Sequence, residues 1–510
     1  MTNDKCKMTN DSSLPLLTRD PSANNHDWKR DFYVWLPLSL LSWLLAWKFQ
    51  DQFISDWDGF DYTSYAVQGW PTSLGLGRAL FLGYNHLLWR LANEWFNTPA
   101  EQAYMVLRYA VIAQSGPATV GIYALCKELT ASRHAAGFGA LLVAISPYYI
   151  IYSGRGMSEI PAFLMLSWSL WWMLRSLRLG RAIGFLIAAL LVGLSANLRE
   201  FAIFYLPFIP LAASIYGYGW IQGLKALALA GFGALAGMIF WTLYQPTYLA
   251  GVLNWYALSA QERKFHPVTI DNFRFLFNFA YNCSSVVLII APLALVWLWP
   301  RKNLRALFVL GALGLLADLV LLANHDLPVN SRYLLTGLLG LAAICGWCLA
   351  ELIKCHRVRA LPLMIGLVVL SKGAYNQMFR EVDGSEWAAR AAKNYISRIE
   401  ALPWNSAFIV GARSPLVSLY YWIGARPFWK TVSPGSGWPD ERLGEVIDDL
   451  LLSGRMVYVD FDPDLWQWGS RKQSREGPGL EMIKREYELA QVKDHFYRIL
   501  KRKKPQAWPN

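Results

Sequence analysis

Few residues of this 510-residue chain have the types and spacing to do chemistry, and they lie beside apolar runs. Asp58 and Asp61 stand in Asp56-Trp57-Asp58-Gly59-Phe60-Asp61-Tyr62, three positions apart and so on one face if the segment is helical. Trp57, Phe60, Tyr62 and Tyr65 interleave with them, which suits a half-buried polar site where a carboxylate can exchange a proton with substrate. A solvated, acid-rich external loop is the plain alternative. Glu159 opens an apolar run after Gly154-Arg155-Gly156-Met157-Ser158, where an acid also complements a helix N-terminus. Arg199, in Ala196-Asn197-Leu198-Arg199-Glu200, separates two short apolar runs; a cation there is costly and suggests function, although an ion pair with Glu200 would also account for it.

Other chemistries find no support. Cys345 and Cys348 are spaced as CxxC but sit in an apolar run without His or acidic neighbours, so packing explains them. Cys6, Cys126, Cys283 and Cys355 are scattered and suggest neither disulfides nor zinc. His86, His266 and His325 are isolated and no HExxH occurs, so no metal ligands are assigned; no cofactor is required, and a divalent metal stays open as an alternative that the sequence does not indicate. No phosphate-binding loop or dinucleotide fingerprint is present, which argues against ATP hydrolysis. The net charge of +12 reads as membrane orientation rather than nucleic-acid binding, because the basic residues gather in loops on one side of the apolar runs.

Those runs are the elements that must position the site. With 55% hydrophobic residues, 25 tryptophans and a mean hydropathy of +0.24, water cannot be the main solvent. Apolar blocks fall at 32–49, 104–126, 134–152, 157–175, 182–198, 201–218, 224–244, 284–300, 304–323, 333–353 and 359–374. Their length suits a hydrocarbon core of about 30 Å, which predicts a polytopic α-helical membrane protein of about eleven spans. Lys29 and Arg30, Lys127 and Arg133, Arg175, Arg178 and Arg181, Lys225, Arg301, Lys302 and Arg305, and Lys354, Arg357 and Arg359 then mark the cytoplasmic side. The Asp51–Asp61 cluster, the turns near Ser153 and Arg199, segment 245–283 and segment 324–332 face outward.

The expected domains are a cytoplasmic N-terminal segment, 1–31; a transmembrane domain, 32–374, with a long first external loop, 50–103; and an external C-terminal α/β domain, 375–510. The polar start argues against a cleaved signal peptide. In the first loop, Leu74 to Phe96 reads as an interfacial amphipathic helix whose apolar face is interrupted by Arg78, Asn85, His86 and Arg90. In the last domain, Phe408–Val410 and Met456–Val459 read as buried strands, with helices at Pro415–Ile423 and Glu441–Leu452.

The order of the polar residues along this topology resembles the C-type (GT-C) membrane glycosyltransferases, particularly the dolichyl-phosphate-mannose protein mannosyltransferases and the bacterial aminoarabinose transferases for lipid A. Asp58, Tyr62 and Ala66 keep the family's spacing, although Gly59 replaces the second acid of its usual pair. Arg78 in Leu76-Gly77-Arg78-Ala79-Leu80, Arg108, Glu159 after Ser146-Pro147-Tyr148, Arg199, and Arg332-Tyr333 match its later motifs in order. The resemblance implies transfer of a sugar from a polyprenyl-phosphate donor to an acceptor hydroxyl on the external or lumenal face. Asp58 would be the first candidate for the base and Asp61 the second, with Glu159 also catalytic; Arg78, Arg199, Tyr62, Arg332 and Tyr333 would bind substrate. The implied partners are the lipid-linked donor, a glycan, lipid or protein acceptor, and the bilayer. The implied location is a bacterial inner membrane, or alternatively the endoplasmic reticulum.

A lipid-linked sugar flippase or other transporter without a nucleotide motif is the competing class. No inverted repeats with broken midplane helices are evident, and the candidate charges lie on one side. A receptor or scaffold is the third class, and it leaves the acidic loop unexplained.

Overall fold

The computed structural model describes residues 28–51, 57–69, 78–262, 286–299, 301–324, 331–355, 372–399, 402–411, 430–432, 440–461 and 480–503. Most of the N-terminal segment, His266, His325, the greater part of the expected span 359–374 and the expected helix 415–423 lie outside the described residues, as do the side chains of Trp57, Phe60 and Tyr333. In chain order the helices are α1 (Trp28–Lys48), α2 (Trp57–Gln68), α3 (Ala79–Phe96), α4 (Ala103–Thr130), α5 (Arg133–Ala144), α6 (Pro147–Ser153), α7 (Glu159–Arg178), α8 (Ala182–Leu194), α9 (Phe208–Ile215), α10 (Trp220–Tyr244), α11 (Tyr248–Glu262), α12 (Val286–Leu298), α13 (Arg305–Asn324), α14 (Leu335–Cys355), α15 (Lys372–Ile399), α16 (Asp440–Leu452) and α17 (Leu480–Glu486). The strands are β1 (Ser406–Ile409), β2 (Lys430–Val432), β3 (Met456–Asp460), β4 (Tyr487–Lys493) and β5 (Phe496–Arg502).

The chain divides into two compact units, one of Met1–Asp51, Gly69–Leu87 and Met105–Gly384, the other of Gln52–Gln68, Leu88–Tyr104 and Ser385–Asn510. In the first unit, helices occupy the apolar runs, but several are short or broken. Pro147 cannot continue α5, and the chain turns by 62° into α6. The run expected at 201–218 is a 3-10 segment, Glu200–Tyr205, followed by the short α9. Among the described residues, α10 and α14 are long and apolar enough to cross a membrane, and the bent α5–α6 pair is a third candidate.

Those two long helices have different surroundings. Leu335 to Leu349 of α14 is buried throughout, as an all-round apolar helix must be inside a bundle. Its backbone approaches α5 so closely that a Cβ on Gly346 would lie 2.5 Å from the Gly139 nitrogen, the small-residue contact that lets helices pack without a hydrophobic drive. By contrast, α10 leaves Phe232, Leu235, Phe240 and Leu243 exposed, an apolar surface that suits lipid rather than water.

Basic residues assigned to cytoplasmic loops converge on two buried carboxylates in this unit. Asp31 meets Lys127, Arg133 at 2.9 Å and the Tyr123 hydroxyl at 3.0 Å. Glu128 meets Arg178 at 3.1 Å and Arg175 at 3.6 Å. Burial of each acid is thereby offset by cations from other helices.

In the second unit the C-terminal strands form a mixed sheet of order β2-β1-β3-β5-β4. The β1–β2 and β1–β3 pairs are parallel, while β5 runs antiparallel to both β3 and β4. Period-two alternation places Ala407, Ile409, Val457 and Val459 in a core with Leu443, Ile447 and Leu450 of α16 and Met482 and Ile483 of α17. The opposite face carries the stacked rings of Phe408, Tyr458 and Phe496, the latter pair 5.4 Å apart.

Candidate functional site

The first unit gathers the candidate charges around the start of α7. Ser158 immediately precedes that helix and Glu159 opens it, both buried. Arg199 Nη2 lies 3.3 Å from Glu159 Oε1, its Nη1 donates to Ser158 Oγ at 3.4 Å, and Arg332 Nε approaches the same carboxylate oxygen at 3.9 Å. The Arg199 and Glu159 side chains are 2% and 1% exposed, so this is a desolvated pair. Glu159 and Arg199 Nη2 form no aligned hydrogen bond here, so the pair is held by charge at close range.

Local structure explains how Arg199 reaches that position. It is an extended residue between the 3-10 turn Ser195–Asn197 and the 3-10 segment Glu200–Tyr205. Asn197 clasps the turn to α10, donating to Gly233 O at 2.7 Å and accepting from Gly237 N at 2.8 Å. A Cβ on Gly237 would lie 2.1 Å from Asn197 Oδ1, so glycine is needed for this approach.

Arg332 is placed by a second clasp. It sits in the 3-10 turn Ser331–Leu334 that leads into α14. Asp318 of α13, itself buried, accepts the Gly337 N–H at 2.9 Å, and Tyr205 donates to Thr336 O at 2.6 Å. The first bond satisfies a backbone N–H in the opening turn of α14, and the second ties the same turn to Tyr205, so together they fix its start.

Arg78 immediately precedes α3 and has φ +43°, a left-handed conformation that is unfavourable for a side-chain-bearing residue. Its guanidinium is 4% exposed and meets both oxygens of Glu200, at 3.1 and 3.2 Å. Burial acts to raise the Glu200 carboxyl, but the Arg78 and Arg199 cations outweigh it and hold it down at about 2. The plain alternative for Arg199, an ion pair with Glu200, accounts for only part of its surroundings. Glu200 takes Arg78 on both its oxygens, and Arg199 pairs across the fold with Glu159. The interior of the first unit thus brings together Arg78, Glu159, Arg199 and Arg332, with Glu200, Ser158, Asn197 and Asp318 as members that sequence reasoning did not single out. A Glu directly after a candidate Arg was the available signal for Glu200.

Asp58, Asp61 and Tyr62 belong to α2, in the second unit. Asp58 and Asp61 are half-buried, and fully buried Tyr62 donates a long hydrogen bond of 3.5 Å to Asp58 Oδ2 one turn away. The bond orients the Asp58 carboxylate. Arg108, in α4, is buried against the Asp51 carbonyl and its guanidinium carbon lies 4.8 Å from the Tyr109 ring centre.

Among the described residues no group of three His, Cys, Asp or Glu is arranged to hold a metal ion. Glu159 faces two guanidinium groups, which disfavour a cation beside it. Cys345 and Cys348 are buried free thiols within α14, and Cys345 packs against the Val287 carbonyl.

No protein-family model and no curated protein matches the sequence. Among solved structures, the fold is similar to that of the Archaeoglobus fulgidus oligosaccharyltransferase, with a TM-score of 0.50 and 13% identity in each of three forms. The complex with Zn and sulfate is matched over 84% of this chain and 68% of that one. The form tethered to an acceptor peptide containing the NVT sequon is matched over 86% and 70%, and the apo form over 91% and 74%. At this identity the likeness is one of fold.

Proposed function

We propose that this chain is a glycosyltransferase that moves a sugar from a polyprenyl-phosphate carrier to an acceptor hydroxyl at the outer face of a membrane. The observation that carries the reading is the buried arginine cluster of Arg78, Arg199 and Arg332 at one end of α7, in a fold shared with an oligosaccharyltransferase. About 24 Å of helix separates Glu159 from Arg175 at 1.5 Å per residue, so the two ionic clusters of α7 stand nearly one hydrocarbon thickness apart. We take the Arg175 end as cytoplasmic and the Glu159 end as external, within the eleven-span topology in which residues 375–510 are also external.

In this reading Asp58 accepts the proton of the acceptor hydroxyl as that oxygen attacks the anomeric carbon. The bond from that carbon to the phosphate oxygen breaks, and the lipid phosphate leaves with the bonding electron pair. Arg78 and Arg199 stabilise the charge on the departing phosphate; their planar forks can grip two oxygens and remain charged near lipid. Tyr62 orients Asp58, Asp61 is the second candidate for the base, and Glu159 holds Arg199 and Arg332 in place. No step requires a metal.

Labelled-donor transfer by the purified protein in reconstituted membranes tests this. Asp58→Asn should lose about 10² to 10⁴-fold of turnover, the usual contribution of a general base, while keeping donor binding. Asp61→Asn should be intermediate. Movement of labelled lipid across the bilayer without transfer to any acceptor would replace the reading with the flippase class.

A further inference from the structure

Asn85 is a polar residue on the buried face of α3 that the proposed reaction does not use. It is fully buried, and neither its Nδ2 nor its Oδ1 has a hydrogen-bond partner among the described residues. Phe81 and Leu82 are buried on the same face, one turn nearer Arg78. An amide with both ends unsatisfied in such a setting is destabilising, and leucine would fit the apolar pattern better. Its retention there suits a ligand that supplies both a donor and an acceptor.

We infer that Asn85 binds the sugar of the lipid-linked donor, its amide taking two ring hydroxyls while Arg78 holds the phosphate. This rests on the polyprenyl-phosphate reading above. Phosphate alone does not fit, because its oxygens only accept and would leave Oδ1 unpaired, whereas neighbouring hydroxyls can accept from Nδ2 and donate to Oδ1. Asn85 lies seven residues after Arg78, whose carbonyl accepts the Leu82 N–H at the start of α3, so about 10 Å along the helix axis separates the two residues, a span that a sugar phosphate lying along α3 covers.

The test measures lipid binding to the purified full-length protein in nanodiscs. The probes are undecaprenyl phosphate and its glucosyl, mannosyl and aminoarabinosyl phosphodiester forms. Wild type should bind at least one glycosylated form more tightly than the bare lipid. Asn85→Leu should bind the bare lipid as wild type does and lose about tenfold in affinity for the preferred glycosylated form. It should also melt at the same temperature or higher, whereas a merely structural amide would destabilise the protein when replaced. Asn85→Gln, which keeps the amide but displaces it by one methylene, gives a second reading if the leucine variant does not fold. Sugar preference retained in these variants, as a buried water on Asn85 would allow, overturns the assignment, as does a wild type that binds no glycosylated form more tightly than the bare lipid. If wild type binds none of the lipids and Arg78→Ala changes nothing, the donor reading itself has failed and the Asn85 assignment with it.

Discussion

Glu159 and Arg199 are charged groups withdrawn from water, so each depends on the other and on Arg332 for its stability. Arg199→Ala leaves the Glu159 charge with Arg332 at 3.9 Å as its remaining ion-pair partner among the described residues, and breaking a buried pair costs about 3–5 kcal/mol. The same variant should lose roughly 1.5–3 kcal/mol of donor binding, or about tenfold to a hundredfold, through one charge-assisted contact. The two effects separate in a double variant. Arg199→Ala with Glu159→Gln should recover part of the thermal stability, because the buried Glu159 charge is removed along with its partner although Arg332 loses that carboxylate, but none of the donor affinity. Recovery of affinity together with stability would make Arg199 a structural ion-pair partner and nothing more.

At the scale of elements, the arginines are placed by backbone clasps rather than by their own helices. Gly237→Ala would drive a Cβ into Asn197 Oδ1 and push the Arg199 turn away from α10. We expect a loss of about 1–3 kcal/mol in thermal unfolding, the usual cost of overpacking, with a matching drop in donor affinity although residue 237 is not a proposed ligand. The β4–β5 hairpin gives a pH prediction. Hydrogen bonds from Arg485 and Arg502 lower the Glu486 carboxyl below its ordinary 4.5. A carboxyl lowered in the folded state adds stability above its unfolded value and loses it as pH falls through the folded one. Amide protection in β4 and β5, corrected for intrinsic exchange, should therefore weaken as the pH drops below about 4.5. Arg502→Gln should flatten that dependence.

For the whole molecule, the charge bias and the apolar runs imply an external Asp58 loop and C-terminal domain, with Lys127–Arg133 and Lys354–Arg359 cytoplasmic. Single cysteines introduced as Ser55→Cys and Ser474→Cys in a cysteine-free background should both react with an impermeant reagent in intact cells. Protection of either position would remove the eleven-span topology.

The sequence by itself determined what kinds of element this chain forms and where most of them lie. Apolar block length and 3.6-residue periodicity act locally, so α4, α7, α10, α13 and α14 fall where their runs predict, and short continuous apolar runs mark β1 and β3. The hairpin β4–β5 was not legible, because Glu488, Lys493, Arg498, Lys501 and Arg502 mask its period behind charge. Likewise, Asp58, Arg78, Glu159, Arg199 and Arg332 could be chosen by type and order, yet their partners could not. Glu200 follows Arg199 directly, but its hydrogen-bonded ion pair forms with Arg78 across 122 positions. Which carboxylate meets which cation depends on how α7, α10 and α14 pack, and close approach at Gly237 and Gly346 decides that packing. Desolvation then makes each choice binding, since a buried charge must find its counterion wherever the fold brings one.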